Sequence, residues 1–215
     1  IITTVYMVLV AILVATPIGI LASVYLQEYA KQGKVVRVIR FATECLAGIP
    51  SIVYGLFGGI FFVVALKLQY SILSGGLTVA IIILPTIIRS TEEALKTVPS
   101  TYREASLGLG ATKFQTLYKV ILPSAIPGIL SGVILSIGRV IGESAAILLT
   151  AGTVAKMPLT VFDSARTLTV HAYLLTKETG DIQTACGVGI VLIVIVFGLN
   201  TIAKLVAKKL NKANY

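Results

Sequence analysis

The chain carries few of the residues with which enzymes do chemistry. Its 215 residues include two cysteines, Cys45 and Cys186, one histidine, His171, and no tryptophan. A zinc site draws on Cys and His ligands, and a Ser-His-Asp arrangement needs a histidine beside its nucleophile, so a metal cluster or a triad has nothing to be built from. No Gly-x-x-x-x-Gly-Lys-Ser/Thr run occurs, which removes the loop that cradles nucleotide phosphates. Charged side chains are 13% of the total, with no long internal repeat and no low-complexity tract. Both cysteines lie in or beside apolar runs and read as small buried hydrophobes rather than as a disulfide or metal pair.

What is abundant is hydrocarbon. Hydrophobic residues are 56% of the chain and the mean hydropathy is +0.96, values that fit an all-α, polytopic transmembrane helical bundle and not a soluble domain. A span needs roughly 20 apolar residues, and five stretches qualify: Ile1–Leu26, Phe41–Leu66, Ile72–Ser90, Ala125–Thr150 and Thr184–Ala207. Lys67–Ser71 reads as a tight turn. Pro17, Pro50 and Pro85 are expected to kink or locally break their helices. Ile1 already lies inside an apolar run, without an initiator Met, so we expect a fragment lacking an N-terminal piece and a preceding span. The first run is too long, and too poor in basic leader residues, for a signal peptide.

The net charge of +9 does not describe a nucleic-acid binder, because the cations flank apolar runs instead of sharing one face. Lys31, Lys34, Arg37 and Arg40 fall in the first loop; Arg89, Lys96, Arg103, Lys113 and Lys119 in and around the loop before Pro123; Lys204, Lys208, Lys209 and Lys212 in the tail. Thirteen cations on that side face four on the other (Lys67, Lys156, Arg166 and Lys177), which places the first side in the cytoplasm. The sizeable outer loop, Gly152–Gln183, has balanced charge, and Thr160–Thr176 is expected to form an interfacial helix. His171 within it reads as a surface or packing residue, or as a contact for an external partner.

Two features carry functional information. The first is the polar loop over residues 101–123, which reads as two short capped helices around Gly108 and Gly110. Thr101 with Glu104, and Thr112 with Gln115, have capping-box spacing. A rigid folded loop between spans is shaped to fit something, although two amphipathic helices on the membrane surface would read similarly. The second is a stripe in the fourth span. Gly128, Gly132, Ser136, Arg139, Glu143, Ala146 and Thr150 fall within about an 80° arc at 3.6 residues per turn. Arg139 and Glu143 can pair there as a structural ion pair, or border a solute pathway in which Arg139 draws an anion and Glu143 sets its orientation. Glu44 is either a further pathway group or a residue snorkelling to the interface.

The loop resembles the cytoplasmic coupling motif of ABC-importer permeases, the EAA loop. Glu104, Ala105, Ser106, Gly110, Val120, Leu122 and Pro123 match its spacing across 20 residues, with Ser106 for the usual second Ala and Val120 for Ile. Ile121–Gly152 and the stretch AGIPSIVYGLF (Ala47–Phe57) are similar to phosphate-importer permeases of the PstA type; together these matches cover roughly 40% of the chain. The resemblance implies a type I, MetI-like bundle forming one transmembrane domain over residues 1–215, set in the bacterial inner membrane and its lipid. It implies no enzyme activity and no cofactor in this chain. ATP and Mg would be bound by a separate ATPase dimer gripping the coupling loop. A second homologous permease would complete the passage, a soluble binding protein would capture solute outside, and no nucleic acid takes part. Ser51, Ser136, Arg139 and Glu143 are the expected pathway residues. Phosphate is the expected solute, with another oxyanion such as molybdate or sulfate, or an amino acid, as the alternative. A membrane hydrolase or acyltransferase lacks its nucleophile–base pair, and an ion-driven carrier would give no reason for the capped loop.

Overall fold

The computed structural model describes residues 1–212, with the side chains of residue 203 and of 206–212 outside that description. Lys208, Lys209 and Lys212 of the tail therefore lie outside the described side chains, as do residues 213–215 altogether. The described residues are mostly helical, with no strand. α1 (Ile2–Val24) continues into a π turn at Tyr25–Tyr29. α2 (Lys34–Ala47) and α3 (Ser51–Gly58, extended by a π turn over Gly59–Ala65) follow. α4 (Ile72–Thr97), α5 (Ser100–Gly108), α6 (Lys113–Thr116, with a π turn over Leu117–Ile121) and α7 (Leu122–Gly142) form the middle. α8 (Ala145–Leu148), α9 (Leu168–Leu174, with a π turn over Leu175–Thr179) and α10 (Ile182–Lys212) complete the chain.

Four helices among the described residues are long and apolar enough to cross a membrane: Ile2–Tyr29, Ile72–Thr97, Lys113–Gly142 and Ile182–Ile202. The fifth expected span is not one helix. Lys34–Ala47 and Ser51–Ala65 meet at 98°, because Pro50 cannot donate a helical hydrogen bond and disfavours helix at the residue before it. The break is held by the Tyr54 hydroxyl, which donates to the Leu46 carbonyl at 2.7 Å. Pro17 and Pro85, by contrast, sit inside unbroken α1 and α4.

α4 is the axis of the bundle. Its most apolar window is 61% buried, against 0% for α10, which leaves α10 at the periphery. α1 runs beside α4 in the same direction: Gly75 meets Met7, Gly76 meets Val10 and Gly19 meets Ile87. α7 crosses α4 in the opposite sense. A Cβ on Gly128 would lie 2.5 Å from Ala94 Cβ, and one on Gly132 would collide with Ser90, so small residues set this close approach. Met7, Ile72, Ile83, Ile87, Val140, Ile147 and Val170 form the largest core cluster. A second cluster, from Leu95 and Val98 to Leu117, Ile121 and Ile129, lies under the 101–123 loop.

Two further expectations need correction. Cys45 and Cys186 are free and exposed; an apolar residue on a membrane helix faces lipid or a partner as readily as its own core. The helix expected over Thr160–Thr176 begins only at Leu168, where the Thr167 hydroxyl accepts from Val170 N. The preceding residues instead cap α4. Ile72 N and Leu73 N donate to the carbonyls of Asp163 and Val161, and Ser71 N to that of Thr150. The expected turn at Lys67–Ser71 is present, with Lys67 and Gln69 in the left-handed region at φ 55° and 54°.

Candidate functional site

The 101–123 loop is a folded unit. The Thr112–Gln115 capping box forms with both of its bonds, at 2.9 and 3.2 Å. The Thr101–Glu104 box does not. α5 starts at Ser100 behind Pro99, two residues ahead of the Tyr102 start that a Thr101 cap implies, so Thr101 is already inside the helix and caps nothing. Gly110 takes φ 85°, a conformation that costs glycine little, and this turns the chain between α5 and α6. Ser106 Oγ and the buried Thr116 Oγ1 are 2.9 Å apart and tie the two helices together. Ser106 at the usual Ala position therefore adds an internal clasp.

The loop is also bolted to the spans. The Arg103 guanidinium donates to Glu28 Oε1 at 2.7 Å and to the carbonyls of Val98 and Leu95 at 3.1 and 3.2 Å. Arg103 thereby joins α5 to the end of α1 and the end of α4. Lys113 Nζ stands 5.0 Å from the Tyr29 ring centroid, a second strap to the same segment. The opposite side is open. Leu109 is 89% exposed, and Leu107, Phe114 and Tyr118 are exposed with it; the last two rings stack at 6.4 Å. Glu104 and Ala105 are exposed, while Val120, Leu122 and Pro123 lead into α7 and are half-buried.

The second part of the site is a groove of about 760 Å³ between α2, α4 and α7, lined by Arg40, Thr43, Glu44, Thr86, Arg89, Ser90, Glu93 and Leu135, among others. Glu44 is exposed and belongs to this wall. Arg40 bridges its two sides, donating to both oxygens of the buried Glu92 at 3.1 and 3.3 Å, with Gln27 and Gln32 accepting its other donors at 3.3 and 3.2 Å.

The charged stripe of the fourth span is rearranged. α7 ends at Gly142 and Glu143 is extended, with φ −75° and ψ 130°. Arg139 and Glu143 therefore do not share a helical face and form no ion pair. Glu143 Oε1 accepts from Ala146 N at 3.2 Å and starts α8. The Thr169 hydroxyl, reaching over from α9, closes on the Glu143 and Ile141 carbonyls at 3.0 and 3.3 Å. Ala146 and Thr150 thus leave the stripe, and Gly128, Gly132 and Ser136 remain as its packing half. Ser136 is fully buried, its hydroxyl donating to the Gly132 carbonyl, so it packs and does not line open space. Arg139 is exposed, with one long contact, 3.5 Å, to Thr86 Oγ1 beside the groove. Ser51 is half-buried at the first turn of α3.

The sequence reading missed Arg103, Glu28 and the Arg40–Glu92 pair, counting the cations only as loop charges. The available signal was Glu28, the one acid in the polar segment Gln27–Lys34. Glu92 and Glu93 carried a similar signal at the end of a long apolar run. His171 sits in α9 against a pocket with Lys156 and Arg166; burial and Arg166 push its pKa down. No group of three His, Cys, Asp or Glu residues that could hold a metal occurs among the described residues.

The family described as "Binding-protein-dependent transport system inner membrane component" matches residues 3–213. The chain is 39% identical over 186 residues to a probable ABC transporter permease, YqgI, of Bacillus subtilis, covering 80% of this chain and 63% of that protein. It is 39% identical over 194 residues to the phosphate transport system permease PstA of Mycobacterium leprae, covering 89% and 64%. It therefore spans less than two thirds of the length of these curated relatives. Among solved structures, an inward-facing form of the MetNI methionine ABC transporter superposes with TM-score 0.76 at 21% identity, covering 97% of this chain and 91% of that one. A bacterial alginate ABC transporter gives 0.74 at 14%, covering 96% and 77%. At those identities the likeness is one of fold.

Proposed function

Because the chain belongs to the family of binding-protein-dependent transport system inner membrane components, we propose that it is the membrane-spanning permease of an ATP-driven importer of inorganic phosphate. The observation that carries this reading is the asymmetry of the 101–123 loop. Its base is locked to α1 and α4 through Arg103, and its crest of Leu107, Leu109, Phe114 and Tyr118 is bare. A separate ATPase gripping that crest pushes on two transmembrane helices at once. Closure of the ATPase on ATP then rocks the bundle between inward-facing and outward-facing states. The chain itself binds no ATP and catalyses nothing.

Phosphate is supported by the relatives that are phosphate permeases and by Arg139. That cation stands in a membrane helix with no acid beside it, and the Thr86 hydroxyl is near. A guanidinium offers forked donors to an oxyanion that must leave water. One arginine per chain is half a site. A second, homologous permease closes the 760 Å³ groove and supplies the rest, and a soluble binding protein delivers solute to the outer loops.

The test is uptake of labelled phosphate into proteoliposomes holding the full-length permease with its ATPase, partner permease and binding protein. ATP-dependent accumulation, blocked by unlabelled phosphate but not by sulfate or molybdate, is the expected result. Accumulation without the ATPase overturns the reading, and competition by sulfate or molybdate reassigns the solute.

A further inference from the structure

We infer that α2 is an in-plane membrane helix that docks on the headgroups of anionic phospholipids through Lys31, Lys34 and Arg37. The inference concerns a surface outside the groove and holds whichever anion is carried. Its first support is direction. α2 meets the α3 segment at 98°, and α3 packs along α4, with Gly58 against Thr78 and Tyr54 beside Ile82. α4 is long and apolar enough to cross a membrane, so α2 turns away from the direction of crossing.

The second is that α2 has two different outward edges. Val36 is buried and Arg40 is paired with Glu92, which fixes the side turned toward α4. At 3.6 residues per turn, Val35, Val38, Ile39, Ala42, Cys45 and Leu46 fall within about a 120° arc away from that side. All six are exposed, Val35 at 72% and Val38 at 64%. An apolar strip of this size on a helix lying across the bundle matches the acyl boundary of a bilayer.

The third is uncompensated charge. Lys31, Lys34 and Arg37 are exposed and enter none of the ion pairs among the described residues. The nearby acids are committed: Glu28 to Arg103 and Glu92 to Arg40 and Lys96. Glu44 lies two turns beyond Arg37, at the groove. Three free cations at one end of an apolar strip are the pattern that negatively charged headgroups satisfy. A protein partner would need acids and a hydrophobic surface in the same register.

Cys45 lies on the apolar strip and is exposed, so it serves as a reporter. The assembled transporter, in a Cys186→Ser form labelled at Cys45 with a fluorophore, is placed in phosphatidylcholine nanodiscs. Small amounts of acyl-brominated phosphatidylglycerol or acyl-brominated phosphatidylcholine are then doped in as quenchers. The expected result is quenching by both lipids, about fivefold stronger per mole for phosphatidylglycerol, the scale of one cation at a charged bilayer surface. The triple variant Lys31→Gln, Lys34→Gln, Arg37→Gln equalises the two lipids and retains quenching by phosphatidylcholine. The charge-keeping form Lys31→Arg, Lys34→Arg, Arg37→Lys retains the preference. Equal quenching in the unaltered protein, or a preference that survives the Gln substitutions, overturns the inference. Absence of quenching by either lipid, with Cys45 closed to label until the partner permease is removed, overturns it in favour of a protein occupant.

Discussion

Arg103 and Glu28 are 75 positions apart in sequence and 2.7 Å apart in space. The pair is mostly shielded from solvent, and the same guanidinium also holds the Val98 and Leu95 carbonyls. Three acceptors from two helices are thus gathered by one planar donor set. Lysine has the charge but not the fork. Arg103→Lys is expected to leave insertion intact and to weaken the loop's attachment by about 1.5–3 kcal/mol, the scale of a charged hydrogen bond. It should appear as faster protease cleavage near Gly110 together with ATP hydrolysis that no longer drives uptake. Full coupling in that variant would mean the loop does not transmit force through this joint.

The α4–α7 crossing makes a prediction of its own. A Cβ on Gly128 would stand 2.5 Å from Ala94 Cβ, a contact no real pair of methyl groups keeps. Gly128→Ala should destabilise the bundle by about 1–3 kcal/mol, the usual cost of overpacking. Ala94→Gly should recover most of that loss in the double variant, read from thermal unfolding in detergent. A lack of rescue would mean that the helices do not meet at this pair.

These two joints show what the sequence could and could not tell. The break at Pro50, the turn at Lys67–Ser71 and the 112–115 capping box follow from local rules, whereas the residues up to Phe41 read as loop although a helix starts at Lys34, and the Thr101–Glu104 box does not form. Glu143 was not. At 100° per residue it shares the Arg139 face, and only the end of α7 at Gly142, stabilised by Thr169 from α9, removes it. Ser136 looked like a pathway hydroxyl because polarity does not say which way a small residue faces. Its 0% exposure does. Arg103 and Glu28 needed the third dimension.

Arg139 and Glu143 should separate experimentally, because they no longer share a site. Arg139 has one long contact, so Arg139→Ala should assemble normally and lose about 10- to 100-fold in phosphate uptake, as loss of a charged hydrogen bond predicts. Glu143→Gln keeps an oxygen for Ala146 N and should change uptake little, while Glu143→Pro should disturb assembly. Equal transport defects in the Arg139→Ala and Glu143→Gln variants would restore the paired-charge reading.

The coupling crest is testable without touching the fold. Leu109 is 89% exposed, so Leu109→Asp costs the permease almost nothing by itself. On the proposed reading the crest meets an apolar surface of the ATPase, where the new charge must be desolvated. Co-purification of the ATPase should fall at least about tenfold, the equivalent of 1.4 kcal/mol, with the permease still present in the membrane. Undiminished capture would place the ATPase elsewhere on the chain.

Asp163 gives the loop ahead of α9 a pH dependence whose sign follows from its hydrogen bonds. The amides of Thr160 and Leu159 donate to its carboxylate, at 2.8 and 2.7 Å, and hold its pKa below the ordinary carboxylate range. A group stabilised in its charged form contributes above its unfolded pKa and loses that contribution as pH falls through the lowered folded value. The turn it closes also carries the Asp163 and Val161 carbonyls that accept from Ile72 N and Leu73 N, so protonation at Asp163 should loosen the first turn of α4. Hydrogen exchange over 159–163 and 72–73, corrected for intrinsic rates, should show protection constant from neutral pH down to the ordinary carboxylate range. It should then fall at more acid pH. In Asp163→Asn, protection should already be reduced at neutral pH and insensitive to acid. An acid transition that persists unchanged in the Asn variant would assign the effect to another group, because Asn has no proton to gain in that range.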